Sequence, residues 1–407
     1  MKILVCHNHY QVRAGEDQVV ESEVALLRRN GHDVVLFSRD NTEIPRFSLA
    51  RKAATLFAGF SNRAACRDLA RIVEAEKPEV AHVHNVFPLL SPAIYHVLKK
   101  HRVPVIQTLH NFRFLCPNGL FFIEDRVCPR CDGVEAAFIP CIVNRCYRNS
   151  AAYSAWYAAI IAWHRLNRTF TTCIDRYIVL SRFARDLFVR AGYHEKKFVI
   201  KPNAATLDEP PVDSPDDCAV FAGRFSFEKG VLTLVKASAR VPELPLKILG
   251  GGALEPQVRE LVSTRGLNHI ELLGYQPSAV VDHHLARALV TVFPSQCYEN
   301  CPMTVINALC AGTPVIGSRL GGVPDFVPEN KAGWLVAPGN IDDLASRLAW
   351  VASHRDDLRR MRPAVRAWGQ SQFSPAANYA TLMEVYHEAI KAALCIVAST
   401  VFLWAGL

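Results

Sequence analysis

The segment AVFAGRFSFEKG, residues 219–230, decides the fold. A four-residue apolar run ends at Gly223, a polar turn follows, and a helical pattern of apolar residues extends from Val231 to Arg240. A short buried strand that leads through a turn into a helix is the repeating unit of a parallel α/β sheet. The segment therefore predicts one such unit, with its turn at the carboxyl end of the strand, where open α/β sheets bind ligands.

The same strand-and-turn unit recurs along the chain. Other short apolar runs alternate with polar turns and helical patterns, which indicates parallel sheets with crossover helices. These runs are residues 2–6, 33–37, 80–84 and 104–108 in the first half, and residues 246–249, 270–273, 289–293 and 314–316 in the second.

One break divides this pattern. Residues 203–217 are rich in proline and aspartate and lack apolar periodicity, which is typical of a linker. A chain of 407 residues also exceeds the size at which a single hydrophobic core usually stops growing. We predict an α/β fold of two doubly wound, Rossmann-like domains that face a central cleft. The predicted parts are residues 1–205, residues 206–370, and a helical segment, residues 371–407, that packs back on the first domain.

The charge of the chain is uneven. The net charge is +8, and residues 1–203 carry 29 Lys and Arg against 18 Asp and Glu, which leaves 17 against 20 for the remainder. The first half is therefore at +11 and the second at −3. Such asymmetry indicates either an anionic partner for the first half, such as a membrane surface or a pyrophosphate-linked lipid, or simply a solvated basic surface. No aromatic and basic platform for nucleic acid is recognisable, so we expect none to bind.

The two chain ends predict where the protein resides. The start, MKILVCHNHY, has one lysine and a four-residue apolar run before His7, unlike a secretory signal peptide, so we expect a cytoplasmic protein. Residues 392–407 lack charged side chains but fall short of the roughly 20 residues that span a bilayer. They predict an interfacial or docking helix at the inner face of the membrane, with a short membrane anchor as the alternative.

Two stretches of the second half carry chemistry. Arg224 and Lys229 lie five residues apart on a strand-to-helix turn, where both can converge on a diphosphate beside the free amides of the helix. Further on, Pro302 suits the first turn of a helix, so Met303 and Thr304 would offer free N–H groups to an anion. The alternative for the first stretch is a solvated surface loop.

A carboxylate and an amide flank this second helix. Glu299 precedes the helix, and Asn307 follows eight residues later, where its side chain can face the same pocket. This arrangement predicts a carboxylate beside a phosphate cradle. A glutamate that only caps a structural helix is the alternative.

These stretches together resemble the retaining GT-B glycosyltransferases of the family 4, or group 1, type, and the resemblance covers nearly the whole chain. Each stretch is weak alone, whereas their combination is specific. The matching stretches are residues 10–17, 108–111, 202–203, 223–230, 249–252, 273–275, 299–307 and 321–325.

The resemblance implies roles for individual residues. Arg224 and Lys229 correspond to residues that bind the diphosphate of a nucleotide-sugar donor, and Gly15 corresponds to a loop glycine that approaches the donor. His110 and Glu299 correspond to catalytic residues that lie near the transferred sugar. Tyr275 lies in a region that meets the base, and Met303, Thr304 and Asn307 complete the implied donor site.

The resemblance also implies a reaction. A sugar would pass from a nucleotide-diphosphate donor to a glycan or lipid-linked acceptor with retention of configuration, by front-face attack and without a catalytic metal, in cell-surface polysaccharide synthesis. The sequence departs from the family at Asn307, where a glutamate usually accepts both ribose hydroxyls, and at Ala14, where a second glycine is common. A degenerate, non-catalytic binding subunit is therefore the alternative. A phosphorylase of related fold needs a pyridoxal lysine that cannot be placed in this sequence, and the resemblance to an epimerase lacks this arrangement of Arg, Lys and Glu.

A cysteine-rich insert occupies residues 116–146. Clustered cysteines in a cytosolic protein favour a metal site over disulfides, and Cys128 and Cys131 have the spacing of a zinc half-site. A subset of the resembled family carries a similar insert, which implies structural zinc on Cys116, Cys128, Cys131 and Cys146 with Cys141 spare. An iron–sulfur cluster and unligated thiols are the alternatives.

Two further features favour ordinary interpretations. Residues 151–163 have the aromatic spacing of a helix that either meets lipid or packs in a core. His7, His9, His82 and His84 have the i, i+2 spacing of metal pairs in strands, but without convergent carboxylates in the sequence we expect them to be core or cleft residues.

Overall fold

The computed structural model describes residues 1–11, 15–131, 138–207, 210, 212 and 214–405, and it describes the side chains of these residues except 53 and 396–405. Ala14, which the resemblance singled out, lies outside the described residues.

The strands form two six-stranded parallel sheets and one small hairpin. The first sheet contains β1 (Lys2–His9), β2 (Asp33–Asp40), β3 (Val80–Val83), β4 (Val105–Leu109), β7 (Arg176–Val179) and β8 (Phe198–Ile200), and the hairpin joins β5 (Phe122–Ile123) to β6 (Arg126–Val127). The second sheet contains β9 (Ala219–Ala222), β10 (Leu246–Leu249), β11 (Ile270–Gly274), β12 (Val290–Phe293), β13 (Val315–Ser318) and β14 (Gly333–Val336).

Helices connect these strands and cover both sheets. In the first half they are α1 (Gly15–Arg29), α2 (Leu49–Ala58), α3 (Arg63–Glu76), α4 (Ile94–Lys100), α5 (Ile139–Val143), α6 (Ala151–Leu166), α7 (Thr169–Thr172) and α8 (Arg182–Arg190). In the second half they are α9 (Val231–Ser238), α10 (Glu255–Thr264), α11 (Ser278–Arg287), α12 (Met303–Ala311), α13 (Val323–Phe326), α14 (Ile341–Ser353), α15 (Arg355–Phe373) and α16 (Pro375–Ala405).

The strand orders of the two sheets differ, but both reverse at the same kind of place. The first runs β2-β1-β3-β4-β7-β8 and the second β11-β10-β9-β12-β13-β14, so each reverses direction beside its first strand. A reversal of this kind opens a crevice at the carboxyl ends of the strands, where ligands bind in doubly wound folds. The predicted pair of doubly wound α/β sheets is confirmed.

The last helix returns to the first sheet. Within α16, Leu382, Val385 and Tyr386 are buried, and they belong to the same apolar cluster as Ile3 and Val5 of β1. The charge-free run that we expected to form a separate short helix is instead the end of this 31-residue helix, as far as Ala405. Among the described residues, no helix has the length and apolar character needed to cross a bilayer.

The aromatic stretch after the insert is mainly a core helix. Tyr157, Ile160 and Ile161 of α6 are almost fully buried, whereas Trp163 and Tyr153 are about half exposed. This burial favours the core interpretation of the stretch over the lipid-facing one.

Candidate active site

A half-buried ion pair joins the two stretches that the sequence singled out. Lys229 Nζ lies 2.6 Å from Glu299 Oε1, and Ser295 Oγ donates to the same carboxylate oxygen at 2.6 Å. Burial disfavours the charged form of both groups. The Lys229 ammonium nevertheless lowers the pKa of Glu299, and the Glu299 carboxylate raises the pKa of Lys229. Both groups are therefore charged at neutral pH.

A cavity of about 90 Å³ lies beside this pair at the start of α12. Its walls include Gly223, Lys229, Met303 and Thr304. The first helical hydrogen bonds of α12 run from Val305 and the next residue to the Pro302 carbonyl, so the preceding two amides lie ahead of them. A helix N-terminus and a lysine ammonium at one small cavity make a site for an anionic group.

The loop before α9 needs glycine for close contact. Gly230 has a φ of +71°, and a Cβ at this residue would lie 2.0 Å from the Pro294 carbonyl oxygen. Only glycine lets the Lys229 loop approach the end of β12 this closely. The contact brings Lys229 and Glu299 together although they lie 70 residues apart in sequence.

Three predicted donor residues lie outside this cavity. Arg224 is 71% exposed in its side chain and lies 3.5 Å from Glu228 Oε1. Tyr275 is 86% exposed, and Gly15 is exposed at the first residue of α1. None of these three residues lines the cavity that holds Lys229.

Asn307 faces the connection between the sheets instead of this cavity. Its Oδ1 accepts from the Thr206 amide at 3.1 Å, and its Nδ2 donates to Asp282 Oδ1 at 2.9 Å. Asn307 is buried. Its two hydrogen bonds connect Thr206 of the linking segment to α12 and hold Asp282 of α11 beside Asn307.

The segment around Glu299 is fixed to the first sheet. Asn300 Nδ2 donates to the Leu109 carbonyl at 2.7 Å, and Ser181 Oγ lies 3.3 Å from Asn300 Oδ1. The amide of Phe183 donates to Asp325 Oδ2 at 3.0 Å. These contacts place Glu299 and the residue after Leu109, which is His110, on facing edges of the two sheets.

His110 is half-buried and neutral. Its Nε2 lies 2.9 Å from His84 Nδ1. Burial lowers the pKa of His110 to about 3, so the ring can accept or donate a hydrogen bond but carries no charge at neutral pH.

A polar cluster that the sequence analysis did not find lies beside His110. Tyr10 donates to Glu16 Oε2 at 2.8 Å, and Asn111 donates to the same oxygen at 3.2 Å. The guanidinium of Arg113 lies over the rings of Tyr10 and Tyr157. Burial raises the pKa of Glu16 to about 7.

The strand histidines do meet carboxylates, so the premise of their sequence interpretation was wrong. Asp17 Oδ1 lies 2.8 Å from His7 and 3.1 Å from His9. Glu23 Oε1 lies 3.0 Å from His82 Nδ1. Asp17 and Glu23 both lie on α1. Only the docking of this helix on the first sheet brings them to the histidines, so no sequence signal marks them.

The five insert cysteines surround one small cavity. Cys116, Cys131 and Cys141 are buried, and Cys128 and Cys146 complete the same lining. The fifth residue, Cys141, which we expected to be spare, lies within this group. Burial raises the pKa of the Cys116 and Cys131 thiols to about 11 and 12, so a cation would have to displace protons to bind there. Clustered sulfur ligands fit zinc chemically.

Comparison with known families identifies the chain. A sequence model described as "Glycosyl transferase 4-like domain" matches residues 14–204, and one described as "Glycosyl transferases group 1" matches residues 205–368. The chain belongs to the GT-B glycosyltransferases. The second match contains every residue of the Lys229 and Glu299 site.

Curated relatives of this glycosyltransferase are distant. The amylovoran biosynthesis glycosyltransferase AmsK of Erwinia amylovora is 27% identical over 144 residues, which is 34% of this chain and 35% of that protein. Sulfoquinovosyl transferase SQD2 of Arabidopsis thaliana is 26% identical over 174 residues, which is 42% of this chain and 33% of that protein. The aligned part of the chain spans about a third of the length of each of these two relatives.

Solved structures match the whole fold. A sucrose-phosphate synthase of Thermosynechococcus elongatus has a TM-score of 0.71 at 17% identity, with 96% of this chain and 100% of that chain covered. The Anabaena protein HepE, solved with UDP, has a TM-score of 0.65 at 14% identity, with 95% and 100% covered. The predicted GT-B fold is confirmed.

Proposed function

We propose that this glycosyltransferase moves a sugar from a nucleotide-diphosphate donor to a glycan or lipid-linked acceptor with retention of configuration. The observation that carries this proposal is the cavity shared by Lys229 and the N-terminus of α12, beside the ionised Glu299. Lys229, Met303 and Thr304 would bind the diphosphate there, and Glu299 and His110 would contact the sugar.

The arrangement suits departure of a diphosphate. Negative charge builds up on the leaving group as the sugar bond breaks, and prearranged cations and amides stabilise that charge. Lys229 supplies a half-buried ammonium and α12 supplies free N–H groups, while the exposed Arg224 can turn in from solvent when the donor binds. These groups supply the positive charge that a divalent cation supplies in other sites, so we infer that turnover needs no metal.

Recognition of the nucleotide would use the neighbourhood of Asn307. An asparagine accepts with one oxygen and donates with its nitrogen, and both atoms already bind protein groups. Asp282, held against Asn307, offers a carboxylate near the place where the family usually has glutamate. The structural neighbour HepE is described with UDP and with UDP-glucose, which supports a nucleotide sugar without fixing the base for this chain.

The acceptor would belong to a cell-surface polysaccharide pathway. Two relatives are named for this process, AmsK for amylovoran and WcaL of Escherichia coli, a putative enzyme, for colanic acid. The basic first half would face an anionic lipid-linked acceptor at the inner surface of the membrane. We therefore propose a cytoplasmic protein with peripheral contact to the membrane.

The cysteine cluster would hold structural zinc beside the acceptor side of the cleft. Cys116, Cys128, Cys131 and Cys146 are the proposed ligands, and Cys141 lines the same cavity. Stoichiometric zinc in purified protein, lost on Cys131→Ser exchange and retained on exchange of the exposed Cys395→Ser, is the expected result by metal analysis. Wild-type protein without stoichiometric zinc would remove the site from the proposal.

A donor screen tests the proposed function. Purified protein is assayed for binding and hydrolysis of UDP-, GDP-, ADP- and dTDP-sugars, with and without chelator, beside an Arg224→Ala, Lys229→Ala double variant and a Lys236→Ala control on the exposed face of α9. One donor should bind and be hydrolysed by the wild type and the control, with chelator present, and not by the double variant. The anomeric configuration of the sugar transferred to an acceptor, measured by NMR, should match that of the sugar in the donor.

The alternative function has its own outcome in the same screen. If no donor is bound even in the presence of lipid extract, the chain is a degenerate, non-catalytic binding subunit. The intact Lys229–Glu299 pair is the observation that favours the transferase.

A further inference from the structure

A buried carboxylate lies behind His110 at the end of a chain of polar side chains. Glu23 of α1 is 7% exposed, and its Oε2 accepts from Lys201 Nζ at 2.9 Å. Lys201 is also buried and donates to Asn378 of α16 at 3.1 Å. Because the ammonium lies against it, Glu23 is ionised, and its pKa is well below the usual range.

The other oxygen of Glu23 faces an imidazole nitrogen. Glu23 Oε1 lies 3.0 Å from His82 Nδ1 and 3.5 Å from His84 Nε2. His84 Nε2 is buried and has no hydrogen-bond partner among the described residues. A bare lone pair on the buried Nε2 would face an anionic oxygen, which is costly, so a proton belongs on this nitrogen. An ionised carboxylate can only accept, so His84 carries this proton on Nε2.

This assignment determines the proton on the next ring. His84 is neutral because burial lowers its pKa, so its single proton on Nε2 leaves Nδ1 as an acceptor. His84 Nδ1 lies 2.9 Å from His110 Nε2, and His110 must therefore donate from Nε2. The remaining nitrogen of His110, Nδ1, is then unprotonated and can accept a hydrogen bond. It has no protein partner among the described residues.

We propose that Glu23 is a positioning residue that acts through His84 to hold His110 as the Nε2–H tautomer, so that His110 Nδ1 accepts a hydrogen bond from a hydroxyl of the bound sugar. The proposal rests on the proposed function in naming the sugar. It also names a substrate class: a hydroxyl can donate to Nδ1, whereas a carboxylate at the same place would face a lone pair. The sugar group at His110 is then an alcohol and not the carboxylate of a uronic acid.

The last helix takes part in this arrangement. Tyr386 of α16 lies 2.7 Å from His82 Nδ1, next to Glu23, and Asn378 of α16 contacts Lys201. Docking of α16 on the first sheet thus holds the residues that surround Glu23. In this way the orientation of the His110 ring depends on the docking of α16 on the first sheet.

The tautomer of His110 can be measured without any substrate. Full-length protein with ¹⁵N-labelled histidine is examined by two-bond ¹H–¹⁵N correlation spectra, and the His110 signals are assigned with a His110→Gln variant. The wild type should show His110 protonated on Nε2 alone. Observation of the Nδ1–H tautomer in wild-type protein overturns the proposal, whether or not a Glu23→Gln variant folds.

A Glu23→Gln variant tests the causal part. The glutamine oxygen is expected to remain on Lys201, so its NH₂ group would donate to His84, and the protons of both rings should shift to the opposite nitrogens. Glu21→Gln, an exposed change two residues away on α1, is the control and should leave the spectrum unchanged. A folded Glu23→Gln protein with an unchanged His110 tautomer overturns the proposal.

A donor comparison tests the substrate class. With the nucleotide found to bind, the wild type should bind the neutral hexose donor at least about tenfold more tightly than the matching uronic acid donor, and Glu23→Gln should reduce this ratio. Equal affinities in wild-type protein contradict the proposed substrate class. Absence of all donor binding would refute the proposed function but leave the tautomer measurement intact, so the two failures are distinguishable.

Discussion

At the scale of single residues, the site combines groups that sequence reasoning can find with groups that it cannot. Lys229 and Glu299 were predicted because motif spacing carries them, although their roles remain predictions. Asp17 and Glu23 were missed because their importance arises from contacts between a helix and the strands it packs on. Ser295 was missed because its bonds to Glu299 and to the distant Glu228 carbonyl depend on the folded loop. Neither composition nor periodicity encodes such contacts.

Glu16 makes stability depend on pH. The pKa of this carboxyl is about 7 in the folded protein because of burial, above its value near 4.3 in an unfolded chain. The unfolded state therefore releases the proton more readily, and the folded state loses stability as pH rises from about 4 to 7, by about 4 kcal/mol at most. Glu16→Gln should flatten this part of the profile and raise the melting temperature at pH 8.

Unfolding of the wild type and of Glu16→Gln, followed by circular dichroism across this pH range, measures the effect. The exposed Glu21→Gln change is the control. Parallel profiles for wild type and Glu16→Gln would contradict it.

At the scale of elements, apolar runs predicted most strands because each run is buried on both faces of a parallel sheet. All nine predicted runs coincide with strands of the two sheets. Three strands, β7, β8 and β14, were missed. Arginine in β7 and glycine and tryptophan in β14 obscure their apolar runs, and β8 is an apolar run of only three residues between lysines. The cysteine insert was predicted from spacing, and the inclusion of Cys141 in its lining required the folded chain.

The turn after β13 holds the Glu299 segment. Gly321 has a φ of +59°, and a Cβ there would lie 2.7 Å from the Glu299 backbone nitrogen. Gly266 has nearly the same φ, +60°, but a Cβ there meets nothing within 4 Å. Alanine at either position carries a similar backbone cost of about 1–2 kcal/mol, but only Gly321→Ala should displace Glu299.

Donor binding separates the two glycine variants. Gly321→Ala is expected to weaken binding of the donor at least about tenfold, and Gly266→Ala to leave it unchanged, when both are measured by calorimetry on folded protein. Equal affinities for the two variants would show that the turn does not position Glu299.

At the scale of the whole molecule, the GT-B fold follows from the repeated strand-and-helix pattern and the break near residue 205, whereas the domain boundaries remain a prediction. The return of α16 to the first sheet was expected, but its length was not, because the charge-free tail obscured the continuity of a 31-residue helix. Helix α16 joins the end of the second half to the core of the first.

The contact of α16 with the first sheet should contribute strongly to stability. Leu382 is fully buried against that sheet, whereas Leu394 on the same helix is 65% exposed. Leu382→Ala should lower the free energy of unfolding by about 2–5 kcal/mol, and Leu394→Ala by no more than about 0.5 kcal/mol. Urea unfolding measures both, and similar small losses would mean that α16 is only loosely docked.

The central claim is that the cavity between Lys229 and the start of α12 binds the diphosphate of the donor. Its most direct test is calorimetric titration of the preferred nucleoside diphosphate, without sugar, into the wild type, Lys229→Met and the exposed control Lys236→Met. A charge-assisted hydrogen bond contributes about 1.5–3 kcal/mol, so Lys229→Met should weaken binding at least about tenfold while the control binds as the wild type does. Equal affinity of the wild type and Lys229→Met would contradict the claim.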